Sequence, residues 1–189
     1  PGFLVNRLLA FYLGEALHLL ENGADPAGVD RLLVDFGMPM GPFELLDQIG
    51  LDVAEKVTHV MAEAYGDRLP PQACLGRLVA DGYLGKKSEN GFYGYERGKR
   101  GEPTKKAHRA AGRPARREFP DGDVVDRVVL PMVNEAARCL DEGVVSRSLD
   151  VDLGMIMGTG FPPFRGGLLR YADARGVQSI IDRLDVLAG

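Results

Sequence analysis

Residues 126–143, DRVVLPMVNEAARCLDEG, lie over residues 6–23, NRLLAFYLGEALHLLENG, without a gap. Arg127 falls on Arg7, Glu135-Ala136 on Glu15-Ala16, Leu140 on Leu20 and Gly143 on Gly23. Farther on, Gly160-Phe161-Pro162-Pro163-Phe164 echoes the stretch from Met38 to Phe43. The segment Asp173-Ala174-Arg175-Gly176 echoes Asp47-Gln48-Ile49-Gly50 after a short insertion holding Gly166-Gly167. Two copies of one unit that pack together bury apolar faces neither covers alone, much as the subunits of a homodimer do. The expected architecture is a pseudo-dimer within one chain.

The punctuation of the repeat is helical. Leu4, Val5, Leu8, Leu9, Leu13, Ala16, Leu17 and Leu20 fall at helical spacing and Gly23 suits a left-handed stop, which predicts a buried helix of about 20 residues. Asp25 reads as an N-cap with Pro26 in the first turn of a short helix that Gly37 closes. Gly41-Pro42 opens another, ended by Gly50. From Asp52 to Tyr65 the residues Ala54, Val57, Val60, Met61 and Ala64 form one stripe, and Pro70-Pro71 precede a further amphipathic turn or two around Leu75, Leu78 and Val79. No alternating strand runs compete, so the expected fold class is all-α, two tandem helical repeats. GKKSENGFYGY (85–95) reads as a loop with at most a short extended piece, and the basic run from Lys99 to Arg117 as a solvated linker rather than a nucleic-acid arm. The expected division is a first repeat 1–97, a linker 98–120 and a second repeat 121–189, whose long helix Pro131 should kink.

Composition narrows the setting. With 189 residues, 45% hydrophobic, 26% charged and a net charge of −4, the chain is ordinary globular material with no global attraction to nucleic acid or anionic lipid. No apolar run reaches the roughly 18 residues that a membrane span needs. Cys74 and Cys139 are too few and too distant for a disulfide framework or a zinc site, so a reducing, cytoplasmic setting is expected. The start at Pro1-Gly2, with no initiator Met or charged leader, reads as an excised piece of a longer protein.

Few residues carry legible chemistry. GTGFPPFRGG (158–167) is glycine-rich, but Pro163 stands where a dinucleotide fingerprint needs its third glycine and no βαβ unit surrounds it, so a turn between helices is expected. His18, His59 and His108 are isolated. Glu15-x-x-His18 has di-iron spacing, but its repeat equivalent ends in Arg138, which argues against a metal. Asn6 is more informative: it shares a helix face with Leu9, Ala10 and Leu13, which places a carboxamide at the end of an apolar stripe. A buried amide without partners costs about 1–3 kcal/mol, so either it caps the helix or bonds neighbouring backbone, or it is aimed at a ligand. Asp126 replaces it in the second copy, so a ligand role would belong to the first copy alone.

PGFLVNR, the helix end EAL…ENG, GMPMGPFELLDQIGLD and LGKKSENGFYGY together resemble the C-terminal domain of 3-hydroxyacyl-CoA dehydrogenases. PMVNEAARCLDEG with GTGFPPFRGGLLRYAD resembles the far C-terminal part of the multifunctional fatty-acid oxidation α subunit, which carries that domain twice. The resemblance covers essentially the whole chain. It implies the helical fold of that domain, which is like the C-terminal domain of 6-phosphogluconate dehydrogenase, and NAD-linked oxidation of a (3S)-3-hydroxyacyl-CoA in β-oxidation. It implies further a Rossmann domain that binds NAD and carries the catalytic His–Glu pair, both absent from this segment, and an enoyl-CoA hydratase domain ahead of it. By the same comparison Asn6 would bond the reacting oxygen, and Met40, Pro42 and Leu45, with Leu46, would wall the acyl chain. Lys86 and Lys87 also match a family position. The implied partners are the acyl-CoA substrate, the other domains of the parent chain and a thiolase subunit, with no nucleic acid and no membrane span. The segment alone should be inactive. Two other readings stand beside this one: a non-catalytic dimerisation or assembly module, and part of a 3-hydroxybutyryl-CoA dehydrogenase. Duplication argues against the latter, since single-function members usually carry one copy.

Overall fold

A computed structural model describes residues 1–70 and 72–188; Pro71 and Gly189, which fall in the predicted helix-opening Pro-Pro and the second repeat, lie outside them. Four helices, α1 (Val5–Glu21), α2 (Pro26–Phe36), α3 (Pro42–Ile49) and α4 (Leu51–Tyr65), form the first copy. After α5 (Ala73–Ala80), a hairpin β1 (Tyr93–Glu96) and β2 (Lys99–Pro103) and the short α6 (Lys105–Ala110), four more follow: α7 (Asp121–Asp141), α8 (Ser148–Thr159), α9 (Leu168–Arg175) and α10 (Val177–Ala188). The order of the first four helices is thus repeated by the last four, and among the described residues the fold is helical apart from the one hairpin.

The expected caps form. The Asp25 carboxylate accepts the Gly28 N–H at 3.0 Å, and Gly37, Gly50, Gly160 and Gly176 close α2, α3, α8 and α9 at positive φ. Gly23 is required twice over: its φ is +97°, and any Cβ there would overlap the Ala115 carbonyl where the incoming chain crosses the end of α1. Pro131 does not end α7, which runs as one helix through it.

The two copies share one continuous core in which α1 packs along α7, with Leu8, Tyr12, Leu17, Val128, Met132 and Ala136 all but inaccessible. The seam follows the symmetry of the repeat. α1 packs against α8 as α7 packs against α2. Arg7 Nε donates to Glu135 Oε1 at 2.6 Å, and both side chains are buried. The repeat mates of this pair are Arg127 and Glu15: burial raises the Glu15 carboxyl above its ordinary range and the field of Arg127 works against that rise. The pairing of α1 with α8 and of α2 with α7 has the isologous form, element i meeting j′ while j meets i′, whereas Arg127 itself donates to the Leu187 carbonyl at 3.1 Å.

One structural device occurs in both copies. Asp30, buried on α2, accepts the Phe43 and Glu44 N–H groups at 2.9 and 3.0 Å and so caps α3. Asp152 on α8 accepts the Leu169 N–H at 2.7 Å and the Arg170 N–H at 3.4 Å and so caps α9. In each case a glycine, Gly41 or Gly167, opens the helix because a Cβ would overlap the aspartate. Satisfying orphan helix N–H groups from a neighbouring helix fixes the angle between them.

The segment read as a linker is partly built. β2 pairs antiparallel with β1, opposing Tyr95 to Arg100 and Glu96 to Lys99. Thr104 caps α6 by accepting the Ala107 N–H at 3.2 Å, and Ala107 and Ala110 are buried as α6 packs on α5. The basic residues occupy the outward positions while alanines supply the contact. Loop 85–95 is pinned by Asp47 of α3, which accepts the Phe92 and Tyr93 N–H groups at 2.9 Å each and the Tyr95 hydroxyl at 3.1 Å. The Tyr93 hydroxyl donates to Asp30 at 2.8 Å.

Candidate functional site

Asn6 lies in the first turn of α1 and its face continues through Leu9, Ala10, Leu13, Gly14 and Leu17, at helical spacing. This stripe forms one wall of a cleft of about 330 Å³. Leu46 and Ile49 of α3, Val53, Ala54, Val57 and Thr58 of α4, and the chain at Leu69, Pro70 and Gln72 supply the rest. The cleft is mostly apolar, with Asn6, Thr58 and Gln72 as its polar side chains. Around it Ile49, Val53, Val57 and Val60 remain exposed, an apolar apron larger than isolated surface residues would make.

Asn6 is exposed, so its amide carries no burial cost, and the cap reading fails because the α1 N-cap is Leu4, with no side-chain bond. The residue is exposed at the mouth-side lining of the cleft. Leu9, Ala10 and Leu13 share its wall as the spacing predicts. Met40, Pro42 and Leu45 do not line the cleft: α3 turns Leu46 and Ile49 toward it, Leu45 lies about 100° round the helix from Leu46, and Pro42 is buried as the first residue of α3. The residues that spacing missed are Gly14 and Leu17 on α1 and the valines of α4. Their signal was the pair of small residues Ala10 and Gly14, one turn apart on the Asn6 face of a leucine-rich helix. Lys86 and Lys87 sit by the α3–α4 junction, where Lys87 pairs with Asp52 and Lys86 reaches Gln48 at 3.5 Å.

The second copy closes its counterpart. The overlay that sets Asp126 on Asn6 also sets Arg175 on Ile49, and continued through the glycines Gly50 and Gly176 it sets Arg183 on Val57. In the structure these three meet. The Asp126 carboxylate is held by Arg175 on α9, at 2.8 Å through its second guanidinium nitrogen, and by Arg183 Nε on α10 at 2.8 Å. Burial pushes the Asp126 carboxyl up, but the hydrogen bonds from Arg175 and Arg183 outweigh it and hold the group below its ordinary range. Leu130, the mate of Ala10, is fully buried. An ion triad thus stands where the first copy is open and apolar.

A dinucleotide does not fit the glycine-rich segment 158–167. Gly160 lies against Pro39, and Gly167 makes room for Asp152, whose carboxylate already occupies the α9 N-terminus where a phosphate would bind. With a single two-stranded hairpin as the sheet, nothing among the described residues forms a βαβ cradle. No group of three or more His, Cys, Asp or Glu among the described residues is placed to hold a metal ion, and no helix there is long and apolar enough to cross a membrane.

Residues 2–95 match the family of 3-hydroxyacyl-CoA dehydrogenase C-terminal domains. Across the whole chain, a fatty acid oxidation complex subunit alpha of Idiomarina loihiensis is 42% identical over 188 residues, 99% of this chain and 27% of the relative. The subunit alpha of Psychrobacter cryohalolentis is 43% identical over 96% of this chain and 26% of its own. This chain therefore spans about a quarter of the length of these curated relatives. Among solved structures, a 3-hydroxybutyryl-CoA dehydrogenase from Escherichia coli K12 superposes with a TM-score of 0.79 at 26% identity, over 98% of this chain and 55% of that one. The dehydrogenase part of multifunctional enzyme 1 from C. elegans gives 0.61 at 29% identity over 75% of this chain and 33% of that one. The first of these, a protein named as a 3-hydroxybutyryl-CoA dehydrogenase, matches across both copies. With the matched domain holding both the open cleft and Asn6, the chain belongs to the 3-hydroxyacyl-CoA dehydrogenase family, of which it carries the helical C-terminal part.

Proposed function

We propose that this chain is the substrate-binding part of an NAD-dependent (3S)-3-hydroxyacyl-CoA dehydrogenase of fatty-acid β-oxidation in the cytoplasm. The observation that carries this reading is the cleft of about 330 Å³ within the family-matched residues, mostly apolar and marked at α1's first turn by the exposed side chain of Asn6. Apolar walls with a few placed polar groups suit an acyl chain whose reacting oxygen meets a hydrogen-bond donor. Asn6 orients that oxygen, and the exposed apron of Ile49, Val53, Val57 and Val60 excludes water once another domain covers it. NAD supplies the hydride acceptor from a Rossmann domain of the parent protein, with the His–Glu pair that moves the hydroxyl proton; the shares of the relatives' length leave room for that domain and for a hydratase domain. A thiolase subunit is the proposed partner of the assembled complex. The chain itself divides into repeats 1–97 and 121–189 joined through 98–120, and alone it is inactive.

The test is Asn6→Ala in the full-length protein. The enzyme reading expects kcat/KM for 3-hydroxybutyryl-CoA to fall about a hundredfold, in the range for loss of one transition-state hydrogen-bond donor, with circular dichroism unchanged. A purely assembling module would show wild-type turnover. The structural match to the E. coli protein supports a narrower second reading, a 3-hydroxybutyryl-CoA dehydrogenase. Comparing turnover on short and long 3-hydroxyacyl-CoA substrates separates the two.

A further inference from the structure

α8 carries apolar residues on its outer side. Leu149, Leu153 and Met157 follow one another at i, i+4 and i+8 and so share one face of the helix; the two leucines are about half exposed and Met157 is 84% exposed. The first copy shows what this face looks like when water covers it. The two cross-helix caps, Asp152 and Asp30, set α8 on α2, and the buried positions then agree, Val151 on Val29 and Met155 on Leu33. In that register Leu153 falls on Arg31 and Met157 on Asp35, which in the first copy form an exposed ion pair at 3.2 Å. The same face of the same element is salt-bridged in one copy and apolar in the other. Packing within the chain does not account for the difference, since the inward positions match. An apolar stripe kept in solvent in one copy alone marks a contact surface.

The neighbours of the stripe indicate what covers it. About 100° round α8, Gly154 and Gly158 lie against the start of α1: a Cβ on Gly158 would come within 2.8 Å of Val5 Cγ1, and one on Gly154 within 2.9 Å of Leu4 Cδ2. Just ahead, Phe3 is 90% exposed at a φ of +48°, and the Pro1 carbonyl accepts the hydroxyl of Tyr65, the last residue of α4, at 2.7 Å. The polypeptide thus runs into α1 between two exposed apolar faces, the apron of α4 and the stripe of α8. This chain spans 27% and 26% of the two relatives described above, so most of their length lies outside the match. We propose that Leu149, Leu153 and Met157 form the docking face for the domain of the parent polypeptide that leads into α1. This rests on the reading of this chain as one part of a longer dehydrogenase. Three side chains fall short of the roughly 800 Å² per partner that a stable complex of free chains buries. A domain tethered at α1 meets the face at a high effective concentration, so a small apolar patch suffices to hold it.

The experiment places Met157→Cys in the full-length protein and in the 189-residue chain, whose own core is continuous, and follows maleimide labelling of that thiol by peptide mass. Cys74 and Cys139 are buried. Docking predicts labelling at least about tenfold slower in the full-length protein, because the thiol is reached only when the domain lifts off. Adding Leu153→Arg, the first copy's residue at this position, places an unpaired charge in the contact and should bring the two rates to within about threefold of each other. Equal rates in the two proteins, for Met157→Cys and for Leu149→Cys at the other end of the stripe, overturn the proposal. So does slow labelling of the 189-residue chain that slows further as its concentration rises, which assigns the face to a second copy. Protection of the full-length protein only when a thiolase subunit is added overturns it too. NAD reduction with 3-hydroxybutyryl-CoA tells this failure from that of the functional reading. Turnover with equal labelling rates refutes the docking alone, whereas protection without turnover refutes the dehydrogenase reading and leaves the docking face in place.

Discussion

Arg7 and Glu135 face each other across the seam between the two copies, Nε to Oε1 at 2.6 Å, with both side chains buried. The guanidinium also donates to Glu142 at 2.6 and 3.0 Å and stacks 4.9 Å from the Tyr65 ring centre. The hydrogen bond to Glu142 comes first in raising Arg7 above its ordinary range, against the opposing effect of burial. Arg7→Met would leave Glu135 buried with Arg68 at 3.3 Å and Arg138 at 3.9 Å as its remaining cations. Breaking a buried pair from one side costs about 3–5 kcal/mol, whereas replacing both partners by apolar groups is far milder. Urea unfolding should therefore show Arg7→Met strongly destabilised and Arg7→Met/Glu135→Leu closer to wild type. A double variant as unstable as the sum of the singles would refute the coupling.

Proton uptake should stabilise the folded chain between pH 4 and 6. Burial pushes the Asp30 and Asp47 carboxyls up to about 6 despite the hydrogen bonds each accepts, against about 3.9 in an unfolded chain. The folded state then binds more protons than the unfolded one in this window. Their contribution is fully present below about pH 4 and is lost as pH rises through about 6. The exposed Glu142, held low chiefly by its hydrogen bond from Arg7, works in the opposite sense and lower down, losing its contribution as pH falls below the glutamate range. The urea midpoint should rise from pH 7 to pH 5, and Asp47→Asn should flatten that rise. Parallel profiles for the two proteins would count against it.

The paired caps predict an order of damage. Asp152→Ala strips the Leu169 N–H of its acceptor at 2.7 Å, a cap loss of about 1–2 kcal/mol. Asp30→Ala removes a cap and also orphans the buried Tyr93 hydroxyl, so it should cost more. Thermal midpoints of the two variants decide; equal losses would mean the hairpin contact carries no weight.

Tyr12 is fully buried in the core of α1, and its hydroxyl has no hydrogen-bond partner among the described residues. Burial, with a smaller effect of Asp30, drives this phenol far above its ordinary range. Tyr12→Phe removes an unpaired polar group and should raise stability by about 1 kcal/mol, read as an upward shift of the thermal midpoint. A fall of that size would show that the hydroxyl is satisfied in solution.

The helices of the first copy were legible because each is bounded by a residue with one structural meaning: Asp25 before Pro26, Gly37 after Phe36, Gly41 before Pro42, Gly50 after Ile49. Asn6 was legible as a carboxamide on an apolar face. Leu45 and Leu46 differ by one helical step and not at all in type, so only packing shows which of them meets the cleft. α6 hid in the basic run because its buried side chains are Ala107 and Ala110, too small to register as a stripe. The Asp126–Arg175–Arg183 triad joins residues up to 57 positions apart, and no local pattern announces such a contact.

The seam at Arg7 and Glu135 lies within one continuous chain, so dilution cannot separate the copies, and each meets the other at an effective concentration that two free subunits reach only when crowded. A homodimer repeats every substitution on both sides of its axis. Here a change strikes one side alone, which left one half free to trade an open hollow for an internal brace while its twin kept the hollow.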